Sequence, residues 1–126
     1  MKFMSLWRPS KVNPPTGENM AQMGQLIDEM VKKGVMIETG GWYPDSPCTA
    51  FRSTGGKLTV TDGPFTEAKE IVAGFCLMNV KSKAEAIEWA TRFVKIAGDG
   101  VCEMRELDDG TPKDRAVAPM RQALER

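Results

Sequence analysis

Apolar residues recur along this chain at two different periods, and the alternation between them sets out the elements. Met20, Met23, Leu26, Ile27, Met30 and Val31 fall on one broad stripe at a period of 3.6, as do Ala86, Ile87, Ala90, Phe93, Val94 and Ala97, with Trp89 at the flank. Each stripe is bracketed by helix punctuation. Thr16 stands at a capping position before the first, and Ser82-Lys83-Ala84-Glu85 forms a capping box before the second. Gly34 and Gly98 follow the last apolar residue of each. The remaining apolar runs are short and read as strands: Lys2 to Arg8, Val35 to Trp42, Ile71 to Val80 and Val101 to Leu107. Thr49 to Ser53 and Lys57 to Thr61 flank Thr54-Gly55-Gly56, which reads as a β-hairpin. Lys11 to Gly17 is a breaker loop, and a second loop follows Gly41 through Pro44 and Pro47.

The order is strand, helix, strand, hairpin, strand, helix, strand. That order predicts an α+β fold: a ferredoxin-like split βαβ arrangement with an inserted β-hairpin and an antiparallel sheet. Two helices cover one face of a four-stranded sheet. Yet the first strand carries Met4 and Leu6 on one face and Phe3 and Trp7 on the other, and Ile71 to Val80 is also apolar on both faces. The second face therefore needs a cover, and a homodimer through sheet faces supplies it most economically. Residues 1-107 form the expected domain; Asp108 to Arg126 reads as an exposed C-terminal extension with helix from Ala118 onward.

Composition narrows the function classes. Lys plus Arg and Asp plus Glu both number 17 among 126 residues, so no net field attracts a polyanion, and nucleic acid is not an expected partner. No apolar run approaches the ~20 residues that span a bilayer, and no signal sequence opens the chain; a cytoplasmic location is expected. Cys48, Cys76 and Cys102 are widely spaced, odd in number and lack a CxxC pair, which argues against disulfides and zinc. Cys76 and Cys102 read as core residues, whereas Cys48 lies in a loop. The chain has no histidine. Ser-His-Asp and Cys-His machinery and imidazole metal ligands are thereby excluded, and proton chemistry falls to carboxylates, Lys, Tyr43 or a thiol. No cofactor is expected: Gly40-Gly41 and Gly55-Gly56 are isolated doublets without the spacing of a phosphate-binding loop.

The densest chemistry lies in Thr61 to Glu70, TDGPFTEAKE. Asp62-Gly63-Pro64 is a strong turn signal, and Glu67, Lys69 and Glu70 follow at once. As catalytic groups, Asp62, Glu67 or Glu70 would serve as general acid or base if burial or a neighbouring like charge raises a pKa toward neutrality. Lys69 or Arg52 would then hold an anionic part of the substrate. As structural groups, Asp62 caps the turn and the following charges form local ion pairs. Trp7, Trp42 and Phe75 lie in or at the end of strands and are the aromatic candidates for lining a cavity, with core packing as the other reading.

The run Val60-Thr61-Asp62-Gly63-Pro64-Phe65, with Glu67, Lys69, Glu70 and Gly74-Phe75, resembles the DGPF proteins of the YCII-related family. Met1-Lys2-Phe3-Met4 and Glu88-Trp89-Ala90 share its wording, and the resemblance covers roughly residues 1 to 107. It implies a dimeric α+β barrel, and relatives that include small enzymes with a pocket between the sheet and its surrounding loops. The His and Asp pair attributed to YCII-type members does not transfer to a chain without histidine. Two functions follow as expectations. One is a cofactor-independent enzyme acting on a small organic molecule by carboxylate acid/base chemistry, such as an isomerase or lyase. The other is a non-catalytic ligand-binding or regulatory dimer, suggested by the family's frequent neighbourhood with sigma factors.

Overall fold

The computed structural model describes residues 1–10, 16–42, 47–63 and 72–108. Its elements are β1 (Lys2–Pro9), α1 (Gly17–Lys32), β2 (Met36–Gly41), β3 (Cys48–Thr54), β4 (Lys57–Gly63), β5 (Gly74–Asn79), α2 (Lys83–Ala97) and β6 (Gly100–Glu106). Four strands form one antiparallel sheet in the order β2-β5-β1-β6, and β3 pairs with β4 in a separate hairpin. This is the ferredoxin-like α+β arrangement with an inserted hairpin that the order of hydrophobic runs predicts.

Both helices begin where the capping residues stand. Asn19 N–H donates to Thr16 Oγ1 at 3.1 Å, and Glu85 N–H donates to Ser82 Oγ at 3.1 Å. The second box departs from its usual form: the Glu85 carboxylate accepts from Lys81 N–H at 2.9 Å, one residue outside the cap. At the end of α1, Lys33 N–H donates to Glu29 O and Gly34 N–H to Val31 O, which satisfies two otherwise orphaned carbonyls.

The core lies between the helices and one face of the sheet. Phe3, Leu26, Met30, Val35, Met78, Val80, Ala86 and Trp89 form its buried cluster. Trp7 is also buried, and its ring meets Phe93 edge to face at 5.4 Å. On this face Ser5 sits at the centre of β1, its hydroxyl donating to Cys76 O at 3.4 Å.

Both apolar stripes are narrower than their sequence pattern predicts. Met20 and Val31 of α1 are 61% and 56% exposed, and Ile87 of α2 is 48% exposed, while Trp89 is buried. A helix in two-layer packing turns only part of its circumference inward, and α2 also leans on α1. Its inner edge is therefore Ala86-Trp89-Phe93 rather than a line through Ile87. The hairpin and β5 also differ from expectation. β4 continues through Asp62 to Gly63, which pairs with Cys48, instead of yielding to a turn at Asp62. β5 begins at Gly74, so Val72 and Ala73 precede the strand rather than extending it. Most of the expected C-terminal extension, residues 109–126, lies outside the described residues.

Met78 is the largest fully enclosed side chain, at 2% exposure, wedged between β5 and both helices. Met78→Ala is expected to lower the unfolding free energy by about 2–5 kcal/mol, the usual cost of a methionine-to-alanine cavity. Urea titration followed by far-ultraviolet circular dichroism measures it.

Candidate functional site

The ends of six elements converge at one end of the sheet. The register Trp7↔Gly74 and Pro9↔Gly100 brings the starts of β5 and β6 to the end of β1, and Gly41↔Gly74 adds the end of β2. Asn19 Nδ2 donates to Ile96 O at 2.7 Å, which ties the first turn of α1 to the last turn of α2 here. Ala73 is the clasp of this end. Its N–H donates to Trp7 O at 2.7 Å, and its carbonyl accepts from Trp42 N–H at 3.0 Å.

The sheet's second face is open. Strand alternation places Met4, Leu6 and Arg8 of β1, Phe75 and Leu77 of β5, Glu38 and Gly40 of β2, and Val101, Glu103 and Arg105 of β6 on it. Met4, Leu6, Phe75 and Leu77 are only half-buried, and no element among the described residues covers them. Phe75 leans onto the edge strand. A Cβ built on Gly40 would lie 2.8 Å from Phe75 Cε1, so the aromatic ring occupies the space a side chain there would need. Trp42 continues β2 two residues beyond Gly40 and is 42% exposed. Among the described residues this end therefore presents two accessible aromatics, Phe75 and Trp42, beside a bare glycine backbone.

The other sequence candidates are distributed as follows. Trp7 turns its indole into the core against Phe93, and only its carbonyl serves this end. Asp62 lies on the hairpin, where Oδ1 accepts from Thr49 Oγ1 at 2.8 Å across the pair Thr49↔Asp62. Arg52 is exposed on the opposite face of the hairpin, across from Thr59. Glu67, Lys69 and Glu70 lie outside the described residues. The main sheet thus brings together Trp7, Trp42 and Phe75, and the hairpin carries Asp62 and Arg52 separately.

Two charged clusters escaped the sequence reading. On the open face Arg8 Nη1 approaches Glu103 Oε1 at 3.2 Å, an ion pair without hydrogen-bond alignment, and Arg105 reaches the same carboxylate at 3.9 Å. Arg8 follows an apolar strand and looks like a solvated strand end; only the β1–β6 register brings it beside Glu103. On the helix layer, Arg92 and Lys33 hold Glu29 at 2.5 and 3.2 Å and flank the Trp89 ring at 5.0 and 5.4 Å. Their hydrogen bonds, that of Arg92 above all, hold the Glu29 carboxyl down to about 2. A depressed folded-state pKa stabilises the fold above the unfolded value of about 4.5 and loses that contribution as pH falls toward 2. Glu29 also borders a helix-helix groove of about 400 Å³ with Gln22, Gln25, Arg92 and Lys95. Glu29 and Arg92 pair with each other there, and Glu29 stays ionised at neutral pH, so it cannot serve there as a general acid.

The cysteines divide by depth. Burial pushes the Cys76 thiol up to about 11 and raises that of Cys102, while Cys48 is exposed. Cys76 Sγ also rests 3.7 Å from Met36 Sδ. Iodoacetamide at pH 8 is therefore expected to label Cys48 alone in the folded protein and all three cysteines in urea, read by mass spectrometry of the intact chain.

A model of the YCII-related domain matches residues 1–109 of the chain. An uncharacterised protein of Rhizobium meliloti (strain 1021) is 30% identical over 71 residues, which is 56% of this chain; the match spans 57% of that relative's length. Among solved structures, the chain is similar to 5-chloro-2-hydroxyhydroquinone dehydrochlorinase from Burkholderia phenoliruptrix AC1100, in complex with 2,5-dihydroxybenzoquinone. The identity is 12%, with a TM-score of 0.43 over 86% of this chain and 94% of that one.

Proposed function

The chain belongs to the YCII-related family, and from that premise we propose that it is a homodimer, joined through open sheet faces, that binds a small organic molecule at the β1–β2–β5 end of each protomer. The observation that carries this reading is the placement of Phe75 against Gly40 with Trp42 beside them. Two aromatic faces next to unadorned backbone suit a planar apolar group, which gains dispersion and offset stacking while polar substituents reach the strand ends. Dimerisation supplies the missing wall. Met4, Leu6, Phe75 and Leu77 make an apolar centre that a second sheet would cover at the usual spacing of about 10 Å.

A second reading gives the same site a reaction. Ala73 is held by Trp7 and Trp42. In this reading Glu70 or Glu67, which precede Ala73 in sequence, is the general acid or base and Lys69 holds an anionic substituent, the substrate being a small organic molecule that loses or relocates a proton. Asp62 has no part in that chemistry. Its carboxylate is engaged by the Thr49 hydroxyl on the hairpin, where it acts as a cross-strand hydrogen-bond partner. Binding stands first because its aromatic groups are in place at this end.

A thermal-shift screen of small aromatic and carboxylic compounds tests the site. A ligand that stabilises the wild type is expected to stabilise Asp62→Ala equally, and to bind Phe75→Ala and Trp42→Ala about tenfold more weakly. Equal binding to all three variants would remove the aromatic pair from the site. For the enzyme reading, Glu70→Gln should retain the ligand shift yet abolish turnover of whichever hit is consumed. The dimer has its own check: sedimentation equilibrium should give a dimer for the wild type at micromolar concentration and a monomer for Leu6→Glu, which would bury a carboxylate between the sheets.

A further inference from the structure

The β3–β4 hairpin has an apolar face that the described residues leave bare. Alternation along the pair puts Thr49, Phe51, Ser53, Leu58, Val60 and Asp62 on one side, and Phe51, Leu58 and Val60 are 69%, 63% and 54% exposed. Gly55 and Gly56, at φ 56° and 82°, close the tip in the left-handed geometry that a two-residue hairpin turn needs. No hydrogen bond joins this ribbon to the four-stranded sheet among the described residues. An isolated two-stranded ribbon is marginal in water, and three large apolar side chains on one face of it call for a cover.

We propose that the hairpin is an arm that reaches over a second copy of this chain and seats Phe51, Leu58 and Val60 on the β1–β6 side of that copy's open sheet face. The inference rests on the dimer described above and adds what the sheets alone leave undone. Two sheets stacked at about 30° leave opposite corners of each uncovered. One such corner carries Val101, which is 56% exposed and paired with Arg8 at the site end of the sheet. Charge complementarity selects this corner. Among the described residues of this corner, Arg8 and Arg105 share the single carboxylate of Glu103, which leaves one positive charge in excess there, Glu38 lying on the far edge strand β2. The only charged residue on the arm's apolar face is Asp62, with one of its oxygens occupied by Thr49. The chain as a whole has no formal net charge, so nothing repels the second copy at long range. Seated this way, each arm brings its Asp62 to the Arg8 and Arg105 guanidiniums of the neighbouring protomer, on the β6 side of β1.

A charge exchange read by sedimentation equilibrium tests the arm. Asp62→Lys is expected to weaken the dimer about tenfold, and Arg105→Asp introduced into the same chain to restore it. A cross-linking experiment supplies a readout independent of that balance. In a Cys48→Ser background, differently tagged Val60→Cys and Val101→Cys chains are mixed and treated with a short bismaleimide. A covalent pair of the two tags is expected. Cross-linking within one chain of the Val60→Cys/Val101→Cys double variant at high dilution would mean that the arm folds onto its own sheet and overturns the proposal. A dimer that is dissociated by Leu6→Glu but is untouched by Asp62→Lys, with no mixed-tag product, removes the arm and leaves the sheet-face dimer standing. A wild-type chain that sediments as a monomer removes both.

Discussion

Everything in this fold follows from a sheet that, among the described residues, is covered on one side only. β1 is the central strand, paired to β5 and β6, and its residues record the asymmetry directly: Phe3, Ser5 and Trp7 are buried under the helices while Met4 and Leu6 are half-exposed on the other face. A strand apolar on both faces belongs in a three-layer structure, and α1 and α2 with the sheet build two. The open face is therefore both the weakest and the most informative surface of the molecule. Its apolar centre and its mixed rim of Arg8, Glu103 and Arg105 have the make-up of an interface, apolar within and charged around.

The same constraint explains where a ligand finds room. Close packing between helices and sheet leaves Trp7 against Phe93 and Met78 fully enclosed, so the inner face offers no space among the described residues. Space opens only where side chains are absent. At Gly40 the edge strand carries no Cβ, Phe75 leans across it, and the Ala73 clasp joins the main chains of Trp7 and Trp42. Side-chain bulk at Gly40 would push the Phe75 ring outward from the sheet. In the proposed dimer, one glycine would serve both the ligand surface and the sheet-to-sheet contact.

The helices, strands and hairpin were legible in the sequence because each rests on a local signal: a cap at Thr16 or Ser82, a period of 3.6 or 2, a glycine pair at the hairpin tip. What escaped depends on neighbours far apart in the chain. Ile87 and Trp89 exchange burial because α2 leans on α1, and no periodicity within α2 contains the position of α1. Arg8 meets Glu103 only through strand register, and Glu29 meets Arg92 only through helix packing. The aromatic candidates show the same split. Trp7 and Phe75 are equally apolar and stand on neighbouring strands, but one residue of strand phase sends Trp7 into the core and Phe75 onto the open face.

Asp62 gains its meaning from that distinction between local and distant. Locally, Asp62-Gly63-Pro64 reads as a turn, and the chemistry of such a turn is to satisfy its own backbone. In the fold, Asp62 is still in β4, opposite Thr49, and the hydroxyl that donates to it comes from the far strand of the hairpin. With Oδ1 accepting from Thr49 Oγ1, the carboxylate is anchored to the hairpin and suited to meet a cation. Among the described residues, Arg8 and Arg105 share the carboxylate of Glu103 on the sheet face away from the helices, and the arm proposed above would carry Asp62 there. On that proposal, the residue at the head of the motif takes part in how two chains fit together.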